Sequence, residues 1–138
     1  MRQAFHTVTV ATRGPGLTEI TDALKTFVGA EKIVDGLITC FIRHTSASLL
    51  IQENADPDVQ KDLQTFFTHL AGNGMNYRHT AEGPDDMPSH IRSALTQTSI
   101  AIPVRNGKLA LGTWQGLYVF EHRDAPHRRD VLFHFVGD

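Results

Sequence analysis

The run LITCFI, from Leu37 to Ile42, is the feature of this sequence that most restricts how the chain can fold. Successive side chains of a β-strand point to opposite faces of a sheet, and here both sets of alternating positions are mostly apolar. A β-rich run that is apolar on both faces is typical of a strand inside a sheet. The run therefore predicts an interior strand, in which Cys40 is an inert core residue rather than a nucleophile.

Amphipathic segments around this strand predict helices that cover the sheet. Apolar residues recur at helical spacing from Ile20 to Val28, and Gly29 is a natural stop. A second helix is predicted to begin at Pro57, because Asp56 is a good N-cap and proline is favoured at the first helical position. Its buried stripe is expected to consist of Val59, Leu63, Phe66, Phe67 and Leu70.

A shorter third helix is predicted from Pro88 or Ser89 to Leu95, with Ile91, Ala94 and Leu95 facing inward. Alternating or continuous apolar runs predict further strands, and the Asn106-Gly107 pair predicts a hairpin turn. These further strands are expected at residues 2–12, 49–51, 99–104, 108–111, 117–121 and 129–136. The pattern favours an α+β fold, a compact sandwich of largely antiparallel β-sheet with two long helices and one short helix.

The length, net charge and cysteine count of the chain exclude several classes of protein. The length of 138 residues suits a single domain, residues 1–138. A net charge of −2 argues against nucleic-acid binding, which depends on a basic surface. The single cysteine excludes an internal disulfide, and neither a signal peptide nor an apolar run of roughly 20 residues is recognisable. These features predict a soluble, cytoplasmic protein without a membrane or nucleic-acid partner.

The loop Tyr77–His90 is rich in polar groups and has almost no core-forming side chain. Its two prolines fix φ and so stiffen the backbone. Imidazole and carboxylate groups are ligands that suit zinc, manganese or iron. Asp86 and His90 are also spaced to share one face of a helix. The loop is therefore a candidate wall of an active site, with His79, Asp86 and His90 as candidate ligands of a divalent metal ion.

Two plainer explanations of this loop remain open. Its charged groups can belong to a solvated surface loop. Asp86 can also serve as the cap of a helix that begins at Pro88, because prolines at 84 and 88 disfavour a regular helix through it.

Other polar groups lie at predicted strand ends, where binding sites are usually assembled. His44, followed by Thr45 and Ser46, offers a general base beside two hydroxyl groups that suit phosphate, although a hydroxyl-rich turn is the alternative. Glu121 ends an apolar strand, where burial is costly unless the carboxylate is paired or works as an acid or ligand.

A local basic cluster follows Glu121 in a chain that is otherwise acidic. Arg123, Arg128 and Arg129 carry forked donors that suit phosphate groups, or they pair with surface carboxylates. The glycines on either side of Trp114, at positions 112 and 116, permit close backbone approach.

Three of these segments, taken together, resemble the signatures of one family. The first segment runs from His44 to Val59 (HTSASLLIQENADPDV), and the second runs from Tyr77 to Ile91. The third is LALGTWQGLY, Leu109–Tyr118, with Glu121, Arg128 and Arg129 after it. The chain thus resembles the YjbQ-like family over nearly its whole length. That family has long been uncharacterised and is associated with secondary thiamine-phosphate synthase activity.

The resemblance implies a compact α/β sandwich that assembles as a homotrimer. It also implies that the family's shared polar positions are His44, Thr45, Asn54, His79, Asp86, His90 and Glu121. The loop between His79 and His90 is longer here than the family pattern, and Glu82 is therefore given no role.

The implied reaction joins hydroxymethylpyrimidine diphosphate to thiazole phosphate and releases diphosphate, as the main activity or as a weak side activity. We expect a divalent ion (zinc, magnesium or manganese) at the three ligands to neutralise diphosphate. The remaining expected roles are catalysis by His44, Thr45, Asn54 and Glu121, phosphate binding by Ser46, Arg128 and Arg129, and ring stacking by Trp114.

The same residues allow two other functions. A metal-dependent hydrolase of a phosphorylated metabolite would use bound water as its nucleophile. A non-enzymatic trimeric module would bind a metal or a small phosphorylated metabolite without turning it over.

Overall fold

Eight strands in two sheets and three helices form the structure, a computed structural model that describes all residues from Met1 to Asp138. The elements are β1 (Arg2–Ala11), β2 (Gly16–Glu19), α1 (Thr21–Ala30), β3 (Gly36–Ile42), β4 (Ala47–Glu53), α2 (Pro57–Leu70), α3 (Asp86–Leu95), β5 (Ser99–Arg105), β6 (Lys108–Leu109), β7 (Gln115–Glu121) and β8 (Arg128–Gly137). The larger sheet has the order β1-β8-β3-β5-β6, and the smaller has the order β2-β7-β4. All paired strands are antiparallel, so the predicted α+β sandwich is confirmed.

The strand β3 lies inside the larger sheet, as its composition predicts. It pairs with β8 on one side and with β5 on the other. Ile38, Cys40 and Ile42 on its inner face are completely buried, next to Phe133 and Phe135 of β8. Burial raises the pKa of Cys40 to about 12, so its thiol stays protonated at neutral pH and is a poor nucleophile.

The outer face of the larger sheet carries several exposed apolar side chains. Leu37 and Phe41 of β3 are each 44% exposed, and Phe5 of β1 is 60% exposed. The helices pack elsewhere, α1 against β6 and β7, α2 against β2, and α3 against β4. One chain therefore buries only one of the two apolar faces that the sequence predicts for β3.

The predicted set of two long helices and one short helix is wrong in one respect. Helices α1 and α3 both have 10 residues, because α3 begins at Asp86 rather than at Pro88 or Ser89. Pro88 is tolerated because it lies in the first turn, where a backbone N–H has no partner within the helix.

The prediction of the inward face of α3 is also wrong. Leu95 is 56% exposed, whereas Ser89 and Arg92 are buried. Ser89 Oγ donates to the carbonyl of His122, and Arg92 donates twice to the carbonyl of Ala71. These hydrogen bonds satisfy the buried polar groups, so this helix packs through a polar face.

Helix α2 begins as predicted, with the Asp56 side chain accepting from the Asp58 N–H and with Pro57 at the first position. The predicted buried stripe is only half right, because no residue of α2 is fully buried. Phe66 and Leu70 are 58% and 51% exposed. Val59, Leu63 and Phe67 of the stripe are half-buried, and Phe67 packs edge-on to the ring of Phe120 in the sheet. None of the three helices is both long and apolar enough to cross a membrane.

The pairing of β4 with β7 decides which candidate residues can meet. Ala47 lies opposite Glu121 at one end of the pair, and Glu53 lies opposite Gln115 at the other end. At about 3.3 Å per residue, these two ends are roughly 20 Å apart. Candidate functional residues that flank the two strands therefore lie in two separate places in the fold, one at each end of the β4–β7 pair.

Candidate metal centre

His79, Asp86 and His90 converge, as the sequence predicts for a metal site. Their ligand atoms all lie within 4.8 Å of one another. His79 Nε2 is 2.7 Å from Asp86 Oδ2, and His90 Nε2 is 3.1 Å from the same oxygen. Asp86 is buried, whereas the two histidines are partly exposed to solvent.

Helix α3 supplies two of these three groups because it runs through Asp86. Asp86 and His90 are four residues apart, and this spacing places both side chains on one helical face. His79 approaches the same oxygen from the preceding loop. Asp86 is the first residue of α3, and its side chain binds His79, His90 and Arg123 instead of a backbone N–H. The interpretation of Asp86 as a mere helix cap is therefore wrong.

The hydrogen bond at the other nitrogen of His90 determines what the cluster can hold. His90 Nδ1 lies 2.8 Å from the carbonyl oxygen of Thr45, which can only accept a hydrogen bond. The Nδ1 atom therefore carries the proton, and neutral His90 presents a lone pair at Nε2 to the carboxylate oxygen of Asp86. Two facing lone pairs repel each other, and either a proton or a bound cation removes this repulsion. The donor set thus fits a divalent ion.

Arg123 holds the other oxygen of Asp86. Its Nη1 donates to Asp86 Oδ1 at 2.6 Å, and its Nε donates to Asp85 Oδ2 at 2.9 Å. Burial raises the pKa of Asp86, but hydrogen bonds from the two histidines and the charge of Arg123 outweigh it and hold this pKa below its ordinary value. The sequence left two roles open for Arg123, phosphate binding or pairing with carboxylates, and in the structure it pairs with Asp85 and Asp86. Its position against two acidic residues about forty positions away could not be read from spacing.

A second network surrounds Glu121, which is completely buried. Arg129 Nε donates to Glu121 Oε1 at 2.8 Å, and Thr12 Oγ1 donates to the same oxygen at 2.6 Å. Arg129 Nη2 donates to Glu121 Oε2 and also to the hydroxyl of Ser46 at 3.0 Å. The roles predicted for Glu121, Arg129 and Ser46 in catalysis and phosphate binding stay predictions, and all three groups already have protein partners.

His44 joins this second network rather than the metal cluster. Its Nε2 accepts a hydrogen bond from the Asp130 N–H at 2.8 Å, and its Nδ1 lies 3.4 Å from Arg129 Nη1. Burial and the charge of Arg129 lower the pKa of His44, so the ring is neutral at pH 7. To act as the predicted general base, His44 would have to release the Asp130 N–H.

Buried His122 links the two networks, and sequence reasoning missed it. Its carbonyl accepts from Ser89, the residue before His90, while its Nε2 lies 2.9 Å from Ser48 Oγ. Burial and the charge of Arg92 lower the pKa of His122 to about 3. A histidine that directly follows a strand-end glutamate was the available signal, but its burial depends on α3 packing over it.

The remaining predicted residues lie apart from the metal cluster. Asn54 and Trp114 are at the opposite end of the β4–β7 pair, and Trp114 is 62% exposed. Arg128 is exposed at the start of β8, whereas Thr45 contributes its backbone carbonyl rather than its hydroxyl. Within one chain, the structure therefore brings together only part of the predicted site.

Comparisons of this chain with known proteins all point to one family. A family model described as "UPF0047 protein YjbQ-like" matches residues 6–138. A UPF0047 protein of Synechocystis is 51% identical over 138 residues, which cover 99% of this chain and 94% of the relative. The UPF0047 protein YjbQ of Escherichia coli O157:H7 is 41% identical over 133 residues, 96% of each protein.

A solved structure agrees with these sequence matches. A conserved protein of the YjbQ/UPF0047 family from Clostridium acetobutylicum superimposes with a TM-score of 0.88 at 34% sequence identity. The match covers 95% of this chain and 99% of that chain.

Proposed function

This chain belongs to the UPF0047 protein YjbQ-like family, and from that premise we propose that it is a metal-dependent thiamine-phosphate synthase-like transferase. The reaction would join hydroxymethylpyrimidine diphosphate to thiazole phosphate and release diphosphate, as a main or a side activity. The observation that carries the proposal is the convergence of His79, Asp86 and His90 on one point. A reaction that expels diphosphate needs positive charge near the leaving group, and this cluster can hold a cation.

The residues around the cluster have distinct parts in the proposed mechanism. When bound, a divalent ion would supply positive charge to the leaving diphosphate. His79, Asp86 and His90 would hold the ion, while the Thr45 carbonyl and the Arg123 guanidinium fix the orientation of His90 and Asp86. Two nitrogen donors beside one carboxylate favour zinc or manganese over magnesium, which prefers oxygen ligands.

A cavity of about 340 Å³ beside His79 is the place we propose for the small phosphorylated substrate. The side chains of Asn73, Asn76 and Thr80 line it and offer hydrogen-bonding groups. Its volume is at the lower end of the roughly 300–1,000 Å³ range of small-molecule sites. Holding a substrate beside a fixed cation provides positioning and charge stabilisation, which this reaction chiefly requires.

A steady-state assay tests the synthase proposal directly. Protein without a histidine tag is incubated with both substrates and with zinc, manganese or magnesium, and thiamine phosphate and diphosphate are measured. Turnover is expected with at least one metal and should be lost in His90→Ala, while His69→Ala, an exposed histidine of α2, serves as the control. If no metal supports turnover although one still binds, a non-enzymatic binding module explains the site better.

Asp86→Asn is expected to weaken binding of zinc by about 100-fold or more, because it removes the charge on which both histidines converge. Calorimetry and elemental analysis of the untagged protein measure the affinity and the stoichiometry. The matched control is Asp85→Asn. Asp85 contacts Arg123 but neither histidine, so this change should weaken zinc binding less. Equal affinity for zinc in Asp86→Asn and in the unchanged protein would rule out this ligand set.

The exposure of His79 favours one alternative function, a metal-dependent hydrolase of a phosphorylated metabolite. The side chain of His79 is 48% exposed, so an ion at this cluster would have a face open to water. Catalytic zinc sites keep such an open position for a bound water. Phosphate release from p-nitrophenyl phosphate, without synthase turnover, would support the hydrolase.

We also propose that the chain assembles as a homotrimer through the outer face of its larger sheet. Support comes from the exposed apolar residues on this face, Phe5, Leu37 and Phe41. Contiguous exposed apolar surface commonly marks an interface between proteins. Phe41→Glu is expected to convert the assembly to monomers in light-scattering measurements, whereas Phe66→Glu, on the surface of α2, should leave the mass unchanged. An identical mass for Phe41→Glu would contradict this interface.

A further inference from the structure

A second cavity, of about 540 Å³, lies at the far end of the β4–β7 pair from the metal cluster. It forms where the end of β2, helix α1 and the β5–β6 hairpin meet the start of β7. Val28, Leu109 and Leu111 give it apolar walls. Its volume is well within the roughly 300–1,000 Å³ range that accommodates small molecules.

Charged groups of both signs line this cavity. Lys25 and Lys108 are exposed, and neither forms an ion pair with a carboxylate of the chain. Glu19 lines the same cavity, and its Oε2 accepts a hydrogen bond from Thr21 Oγ1 at 2.7 Å. Thr21 Oγ1 in turn accepts from the Leu117 N–H at 2.9 Å. The carboxylate is thus fixed to the sheet, while the two ammonium groups are free for a ligand.

Gly116 makes room for this carboxylate. A Cβ atom at position 116 would lie 2.6 Å from Glu19 Oε2 and 3.2 Å from the Cβ of Asn54. Real Cβ atoms do not approach other atoms as closely as 2.6 Å, so a side chain here would displace Glu19. The glycine therefore allows Glu19 and Asn54 to stand together at the cavity.

We propose that this cavity is a second ligand site, which binds a small phosphorylated metabolite that carries an amino group. The two unpaired lysines match the phosphate, because ammonium groups bind phosphate oxygens as point charges. The fixed carboxylate of Glu19 and the amide oxygen of Asn54 match the hydrogens of an amino group. The apolar walls match the flat or aliphatic body between the two ends.

The position of the cavity makes this site distinct from the proposed metal centre. Asn54 and Gln115 border the cavity, whereas Thr45, which precedes the opposite end of β4, contacts His90 of the metal cluster through its carbonyl. The proposal therefore does not depend on the synthase activity, and ligand binding can be measured without turnover.

Cytidine 5′-monophosphate is a suitable probe, because it carries an exocyclic amine and a phosphate on one small molecule. Uridine 5′-monophosphate lacks the amine, and cytidine lacks the phosphate. Calorimetry on the full chain is expected to give saturable binding of cytidine 5′-monophosphate with a Kd below about 1 mM. The two other compounds should bind roughly tenfold more weakly or worse.

Variants separate the two ends of the proposed site. The double change Lys25→Ala with Lys108→Ala should weaken binding of cytidine 5′-monophosphate roughly tenfold or more. Lys61→Ala on α2 should leave this affinity unchanged. Glu19→Gln and Gly116→Ala should each remove the preference for the cytidine over the uridine nucleotide. His79→Ala with His90→Ala should leave the affinity unchanged.

Three results would overturn the proposal. One is the absence of saturable binding in the unchanged protein. Another is equal affinity for the three compounds, or an affinity that the paired lysine change does not alter. The third is loss of binding in the double histidine variant, which would place the nucleotide at the metal cluster instead.

Discussion

Arg129→Met is expected to lower the free energy of unfolding by about 3 kcal/mol or more, as is usual when one partner of a buried ion pair is removed. The change leaves the carboxylate of Glu121 completely buried without its opposite charge. The Thr12 hydroxyl and the backbone N–H groups of His122 and Arg123 still donate to it, but they do not replace the charge. Urea unfolding followed by circular dichroism measures the effect.

The double variant Glu121→Leu with Arg129→Met is the matched control. It removes both charges, so no uncompensated carboxylate remains, and it should be more stable than Arg129→Met alone. If the single variant is as stable as the unchanged protein, the pair is not the buried network described here. If the double variant is the less stable one, packing rather than charge accounts for the loss.

Acidification from pH 6.5 is expected to destabilise the protein through His122, with a slope approaching about 1.4 kcal/mol per pH unit. The folded pKa of His122 is lowered to about 3 by burial and by the charge of Arg92. The unfolded chain therefore binds a proton near pH 6.5, and the folded chain does not. The stability contributed by neutral His122 is fully present above pH 6.5 and is lost progressively as the pH falls toward 3.

Urea unfolding at a series of pH values between 6.5 and 5 measures this effect. Burial also lowers the pKa of His44, which adds to the slope with the same sign. The carboxylates with lowered pKa values, among them Glu121, contribute only below about pH 4.5, the ordinary value for glutamate. The chosen range therefore isolates the histidines.

His122→Gln should flatten the slope between pH 6.5 and 5, even though the variant is less stable at pH 7. His69→Gln, which changes an exposed histidine of α2, should leave the slope unaltered. An equal slope in His122→Gln and in the unchanged protein would show that His122 is not the buried neutral group inferred here.

The two networks have complementary parts in the proposed function. The Glu121–Arg129 pair ties the end of β7 to the start of β8, and the carbonyl of His122, the next residue, accepts a hydrogen bond from Ser89 of α3. This hydrogen bond fixes the helix that holds Asp86 and His90. Precise placement of a cluster needs such rigid support, because metal ligands are sensitive to small displacements.

Local sequence signals predicted much of the fold. The apolar run of β3, the Asp56-Pro57 start of α2 and the Asn106-Gly107 turn each depend on residues close in the chain, so each was correct. The start of α3 was misplaced because Pro88 was taken as the first helical residue, whereas it is the third residue of the helix. A proline is tolerated throughout the first turn, so the sequence alone did not distinguish these starts.

By itself, the sequence determined the antiparallel sandwich and the identity of the candidate metal ligands, because strand alternation and a four-residue helical spacing are local properties. Only the tertiary structure decided which polar groups meet. It paired Arg129 with Glu121 and Arg123 with Asp86, and strand register placed Asn54 and Trp114 at the far end of the β4–β7 pair. It also covered one face of β3 and left the other exposed. Charge pairing and burial depend on distances between residues far apart in the chain, and these distances are set by packing rather than by local pattern.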